Sequence, residues 1–165
     1  MKKFFLFLLF IPIISCSNTN NGTKETADID CPSVYFSSEN NVYVYPENEV
    51  LDLEEVSFKA SLNNYGFDGN CFSNSEHNNY NLQLLLIVEP LNPKNENITL
   101  PIFILFYNSD NKLVDKQYFR LEEKLNFDKE TLKYNSTEII SNINIYQNND
   151  NSIKYLTIGF VKILL

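Results

Sequence analysis

Thr99-Leu-Pro-Ile-Phe-Ile-Leu-Phe-Tyr107 is the most apolar stretch of the chain beyond its first fifteen residues, and its complement follows directly. Asn108-Ser109-Asp110-Asn111 is a run of turn residues whose short polar side chains bond their own backbone. After it, Lys112 to Phe127 places Phe119, Leu121, Leu125 and Phe127 on one parity. Two apolar runs around a short polar turn predict a β-hairpin. Its apolar arm is expected at the centre of the core.

The same two-residue period extends in both directions. Upstream, Tyr80 to Glu89 is closed by Pro90 and Pro93. Its solid run Leu84-Leu85-Leu86-Ile87-Val88 predicts a central strand covered on both faces. Val56, Phe58, Ala60 and Leu62 alternate with Ser57, Lys59, Ser61 and Asn63, the pattern of a half-buried strand. Val34-Tyr35-Phe36 and Val42-Tyr43-Val44-Tyr45 are shorter extended pieces, the second stopped by Pro46. Residues 73–79 read as a polar loop. Downstream, residues 127–135 have room for a helical turn. Ile139, Ile143 and Ile145 then share a face with Ser141. Leu156, Ile158 and Phe160 alternate with Tyr155, Thr157 and Gly159 in a closing strand.

This makes about seven strands and no long helix. Parallel strands need crossovers of a dozen or more residues, and the connections here leave no room for them. The expected fold is all-β: an antiparallel two-sheet sandwich of immunoglobulin or fibronectin type, occupying residues 31–165.

The first thirty residues have a different logic. Lys2 and Lys3 precede an apolar run from Phe4 to Ile14, too short for the roughly 20 residues of a membrane-spanning helix. It fits the apolar region of a secretory signal. The run ends Ile13-Ile14-Ser15-Cys16, which resembles the bacterial lipobox. That resemblance implies cleavage before Cys16, acylation of its thiol and amine, and hence residues 1–15 as a lipoprotein signal peptide. Two or more acyl chains give a stable anchor where one does not. An ordinary signal peptide with a neighbouring cysteine is the competing reading. Ser17, in place of the Asp that favours inner-membrane retention, points toward the outer membrane. Residues 17–30 are polar and aperiodic. With Cys16 they are expected to form a flexible tether, because such a segment cannot offset its own ordering.

The full chain carries a charge of −8, and loss of Lys2 and Lys3 with the signal takes it to −10. Arg120 is the only arginine, so the clustered cations that nucleic-acid binding requires are missing. Membrane attachment would rest on the acyl chains alone. With Cys16 lipidated, Cys31 and Cys71 remain as a pair in an oxidising compartment, where a disulfide is expected. Two lone thiols fall short of the four ligands of a structural zinc site.

The chemistry-bearing residues form no catalytic pattern. His77, the only histidine, lies in the polar loop without an orienting acid. The carboxylates at Asp52, Glu54 and Glu55 and at Glu122 and Glu123 do not follow the spacing of a calcium loop. No glycine-rich phosphate loop exists among the 4 glycines. No metal and no cofactor are expected. One polar constellation sits on an ordered strand: Asp115-Lys116-Gln117-Tyr118-Phe119-Arg120. Lys116, Tyr118 and Arg120 share the face opposite Phe119. They either contact a partner or tie neighbouring strands together. Tyr35, Tyr43, Tyr45 and Tyr65 are further candidates for an aromatic surface, or for core packing.

Cys31-Pro32, Cys71, Leu100-Pro101-Ile102-Phe103, Asp115-Lys116-Gln117-Tyr118-Phe119 and Ile158-Gly159-Phe160 occur in that order. This series resembles a group of small bacterial lipoproteins of uncharacterised function. It spans roughly residues 31–163. The resemblance implies the sandwich and the lipid anchor and carries no activity. The expected role is therefore non-catalytic: protein interaction or structure at the cell envelope, on the periplasmic side. A small-ligand or glycan-binding module in the periplasm is the alternative.

Overall fold

A computed structural model describes residues 26–46, 56–149 and 152–162. The signal peptide, Cys16, the tether up to residue 25 and the acidic cluster of Asp52, Glu54 and Glu55 lie outside the described residues. The fold is all-β, with twelve strands among the described residues: β1 (Ala27–Ile29), β2 (Ser33–Phe36), β3 (Val42–Pro46), β4 (Val56–Phe67), β5 (Cys71–Ser73), β6 (His77–Pro90), β7 (Asn97–Tyr107), β8 (Leu113–Lys124), β9 (Asn126–Asp128), β10 (Lys133–Asn135), β11 (Thr137–Asn148) and β12 (Tyr155–Phe160). Eight of them match the apolar runs read from sequence. The four additions, β1, β5, β9 and β10, have three residues each, too short for alternation to announce them.

Two sheets pack face to face. The larger is built around β6, with β11 on one side. On the other side β4 runs along Leu82–Pro90, and β5 pairs with Asn78 and Asn79. β3 and β1 extend this sheet outward. The smaller sheet has the order β2-β12-β7-β8. The chain crosses between sheets from β6 to β7, returns to pair β11 with β6, then crosses again to pair β12 with β7. These are the B–E and C–F pairings of an immunoglobulin-like sandwich. One ladder departs from the antiparallel expectation: β2 runs parallel to β12, joining the first part of the domain to its last strand.

The hairpin β7–β8 forms with Thr99 opposite Glu122 and Phe106 opposite Asp115. At its turn, the Asn108 carboxamide oxygen accepts from the amides of Asp110 and Lys112, and Asn111 takes a positive φ of 59°. Asn tolerates that left-handed conformation better than most residues. Leu100, Ile102, Ile104 and Phe106 point inward and are fully buried. Leu82, Leu84, Leu86 and Val88 of β6 face them, with Leu156, Ile158 and Phe160 of β12. The even-numbered residues of both apolar runs thus make the core. The odd-numbered Leu85 and Ile87 are only partly buried. β6 is central within its sheet, but no second layer among the described residues covers its outer side.

Four further expectations change. Residues 27–29, placed in the tether by their sequence, form β1, which pairs with β5 and aligns Ile29 with Cys71. Residues 127–135 form the β9–β10 hairpin in place of a helical turn. Its turn is held by Asp128, which accepts from the Glu130 amide and the Thr131 hydroxyl. The Thr131 hydroxyl also keeps the Asp128 carboxyl below its ordinary pKa. Residues 73–79 carry the end of β5, a tight turn over 74–76 in which Asn74 accepts from the amides of Glu76 and His77, and the start of β6. Phe127 leaves the parity of Leu121 because β8 ends at Lys124; it packs on Tyr134 instead.

Cys31 and Cys71 are joined as expected, with Cα atoms 5.3 Å apart. The bond links the segment entering β2, in one sheet, to β5 in the other. Gly159 serves a different contact. It opposes Phe103, whose ring tip lies 2.6 Å from where a Cβ at position 159 would stand, with the Asn40 Cβ at 2.9 Å. An aromatic ring covering a strand glycine restores packing that the missing side chain gave up. Gly159→Ala forces both neighbours to move. It is expected to cost about 1–3 kcal/mol, the usual range for overpacking. Urea unfolding of the variant against wild type measures this, and equal midpoints would show that the contact is soft.

Candidate functional site

β8 is an edge strand, and its alternation sends its side chains to two destinations. Lys116, Tyr118 and Arg120 point outward, as the sequence indicated. Gln117 turns to β11, the facing edge of the other sheet. Its amide nitrogen donates to the Tyr146 carbonyl at 3.1 Å and the Gln147 side chain at 3.3 Å. Glu123 accepts from the hydroxyl of buried Ser141, also on β11. Within the constellation, Gln117 ties β8 to β11, while Lys116, Tyr118 and Arg120 are left on the outer face.

Strand register assembles the outward residues into a surface. Across the smaller sheet, Tyr35, Thr157, Leu105 and Lys116 form one row. The next row is Gly159, Phe103 and Tyr118, flanked by Pro101 beside Arg120. On the opposite flank Tyr155 lies beside Tyr107. Their rings stack 4.8 Å apart at 10°, and Tyr35 meets Tyr155 edge-on at 5.6 Å. The Lys116 ammonium sits 4.8 Å from the Tyr118 ring centre and 5.9 Å from that of Phe103, within cation–π range. Tyr118 and Tyr35 are 62% and 57% exposed. The Arg120 Nε lies 3.9 Å from Glu122, but both are in solvent, so the pair adds little. Glu122 also accepts from Thr99 at 2.8 Å.

No family model, no curated protein and no solved structure matches this chain. The reading of this surface therefore rests on its chemistry. Tyrosine and arginine are over-represented where proteins touch, because they combine apolar area with a polar end. A face with aromatic and aliphatic groups at its centre and cations on one rim has that composition.

The remaining candidates do not converge. The four early tyrosines separate: Tyr35 joins the outer face, whereas Tyr43 is buried between Phe58 and Phe160. Burial pushes the Tyr43 phenol above its ordinary pKa, and does the same at Tyr80. Tyr45 stacks on Phe58, and Tyr65 meets Phe36 at the sandwich margin. His77 opens β6, with its Nδ1 4.0 Å from Glu76 and its ring edge-on to Tyr146. It lines an open depression with Asp115 and Gln147. Among the described residues no group of three His, Cys, Asp or Glu side chains could hold a metal ion. The most enclosed of the cavities seen measures about 140 Å³, between Tyr45, Phe58 and Ile98. Ligand sites usually run to several hundred Å³.

Sequence reading found β8 and Tyr35 of this surface and missed β7 and β12. Tyr107, Phe103 and Leu105 lie in a run that is apolar on both parities, so nothing in it marks which side meets solvent. Tyr155 and Thr157, alternating with Leu156 and Ile158, carried the signal that could have extended the surface to β12.

Proposed function

We propose that the chain is a lipid-anchored lipoprotein of the bacterial cell envelope, with a non-catalytic role in protein contact through the outer face of the β2-β12-β7-β8 sheet. The observation that carries the contact surface is the exposed aromatic face between Tyr35 and Tyr118, rimmed by Lys116 and Arg120. The Ile13-Ile14-Ser15-Cys16 motif supports the anchor, and Ser17 favours the outer membrane. An anchored domain facing the periplasm meets envelope proteins within reach of its tether.

Glycan binding remains the alternative reading, supported by the number of tyrosines on this face. Sugars stack on bare ring faces. Here Tyr107 and Tyr155 cover each other, and Lys116 lies over Tyr118. That arrangement favours the protein partner. A photo-crosslinking amino acid at position 118, in the full chain in intact cells, tests the choice. It is expected to yield one discrete adduct with an envelope protein, weakened several-fold by Tyr35→Ala. Adducts spread evenly over abundant proteins, or adducts to polysaccharide, would overturn it.

A further inference from the structure

Strand edges are exposed templates, and folds of this kind normally blunt them with charge, proline, bulges or brevity. Four of the five outer strands of the two sheets are blunted: β1 is only three residues long. β2 has four residues. β3 ends in Pro46 with a register shift beside it. β8 carries charge on Asp115, Lys116, Arg120, Glu122, Glu123 and Lys124. β11 has none of these devices. It runs twelve residues in unbroken register with β6, contains no proline, glycine or lysine, and Glu138 is its only charge.

The direction of its backbone groups follows from two contacts. The Asn81 carbonyl of β6 accepts from Asp68, on the β4 side, so odd-numbered β6 residues turn away from β11. The Tyr146 carbonyl of β11 accepts from Gln117, so even-numbered β11 residues turn away from β6. Ile140, Asn142 and Asn144 therefore aim their amides and carbonyls at the open edge, where no backbone partner lies among the described residues. Ile140 is also 65% exposed.

We propose that β11 is a dimerisation edge that accepts β11 of a second copy of this chain, antiparallel, about a two-fold axis at Asn142. This does not depend on the envelope reading. In that register Asn142 faces its own counterpart, Ile140 faces Asn144 and Glu138 faces Tyr146. The lone charge of one copy never opposes that of the other. Three hydrogen-bonded pairs exchange roughly six backbone hydrogen bonds. The occupant is a second copy because this pairing is self-complementary and closes on itself, as a two-fold contact must.

The test is sedimentation equilibrium of the full chain in detergent, at micromolar concentrations. Wild type is expected to be a dimer. Asn142→Pro removes an amide that points away from β6, a replacement edge strands tolerate. It is expected to weaken the dimer about tenfold or more, since each 1.4 kcal/mol is a factor of ten, with the thermal midpoint kept. If that variant fails to fold, Ile140→Lys, which places two extra cations at the junction, is expected to do the same. Asn142→Cys should form an intermolecular disulfide, because paired Cα atoms about 5.5 Å apart suit one. A monomeric wild type would overturn the proposal. So would a dimer that survives both Asn142→Pro and Ile140→Lys, or an Asn142→Cys variant that crosslinks to a foreign protein instead.

Discussion

Changing Cys31 and Cys71 together to alanine is expected to lower the free energy of unfolding by about 4 kcal/mol, from the chain-entropy cost of opening a loop of this length. The two residues are separated by 40 positions, and Cys71 is buried. The bond matters beyond its loop. β1 and β5 are three residues each, and among the described residues β1 pairs only with β5. β2 is held by a four-residue parallel ladder, with Val34 as its one buried side chain. None of these short elements holds itself in place; the cross-link fixes all three at one margin of the sandwich. For a domain of this size the loss corresponds to a fall in Tm of about 10–15 °C. Thermal melts of the oxidised wild type and the double alanine variant give the number. A change below about 1 kcal/mol would mean the unfolded chain already keeps this margin together.

Phe106→Ala is expected to cost about 3–5 kcal/mol, the range for emptying a buried aromatic site. Phe106 lies in β7, which is paired on both sides, opposite Leu156 and Asp115 in register. Its side chain is wholly enclosed between the two sheets. Leu105, one residue earlier, points to the outer face between Thr157 and Lys116 and keeps contact with solvent. Leu105→Ala should therefore cost far less, on the order of 1 kcal/mol. The contrast is sharper than either value, because a slip of one residue would exchange the two faces. Urea denaturation of both variants measures it, and similar losses would contradict the register.

The legible part of this fold was its parity. Val56, Phe58, Ala60 and Leu62 alternate with polar residues, and all four are buried. Ile139, Ile143 and Ile145 behave the same way. Where one face meets water and the other does not, a period of two survives in the sequence. It fails where both parities are apolar. Leu85 and Ile87 suggested a second covering layer, yet both are only partly buried. The outer face of the smaller sheet was half legible for the same reason: Lys116, Tyr118 and Arg120 alternate with Phe119, but Phe103 and Tyr107 are hidden in an unbroken apolar run. The bulge between Leu62 and Asn64, which sets Tyr65 and Phe67 opposite Leu84 and Leu82, depends on pairing with β6 and has no local signature. The parallel β2–β12 ladder joins distant parts of the chain and likewise depends on the folded whole.

The envelope proposal requires a chain that leaves the cytosol, loses its first fifteen residues, carries lipid on Cys16 and joins Cys31 to Cys71. The intact mass of the unreduced protein, extracted from the membranes of the cells that make it, tests all of this at once. The predicted species begins at Cys16, bears acyl chains there, and is two hydrogens lighter than the chain with both thiols free. A species that retains residues 1–15 with an unmodified Cys16, or that gains those two hydrogens, would contradict it.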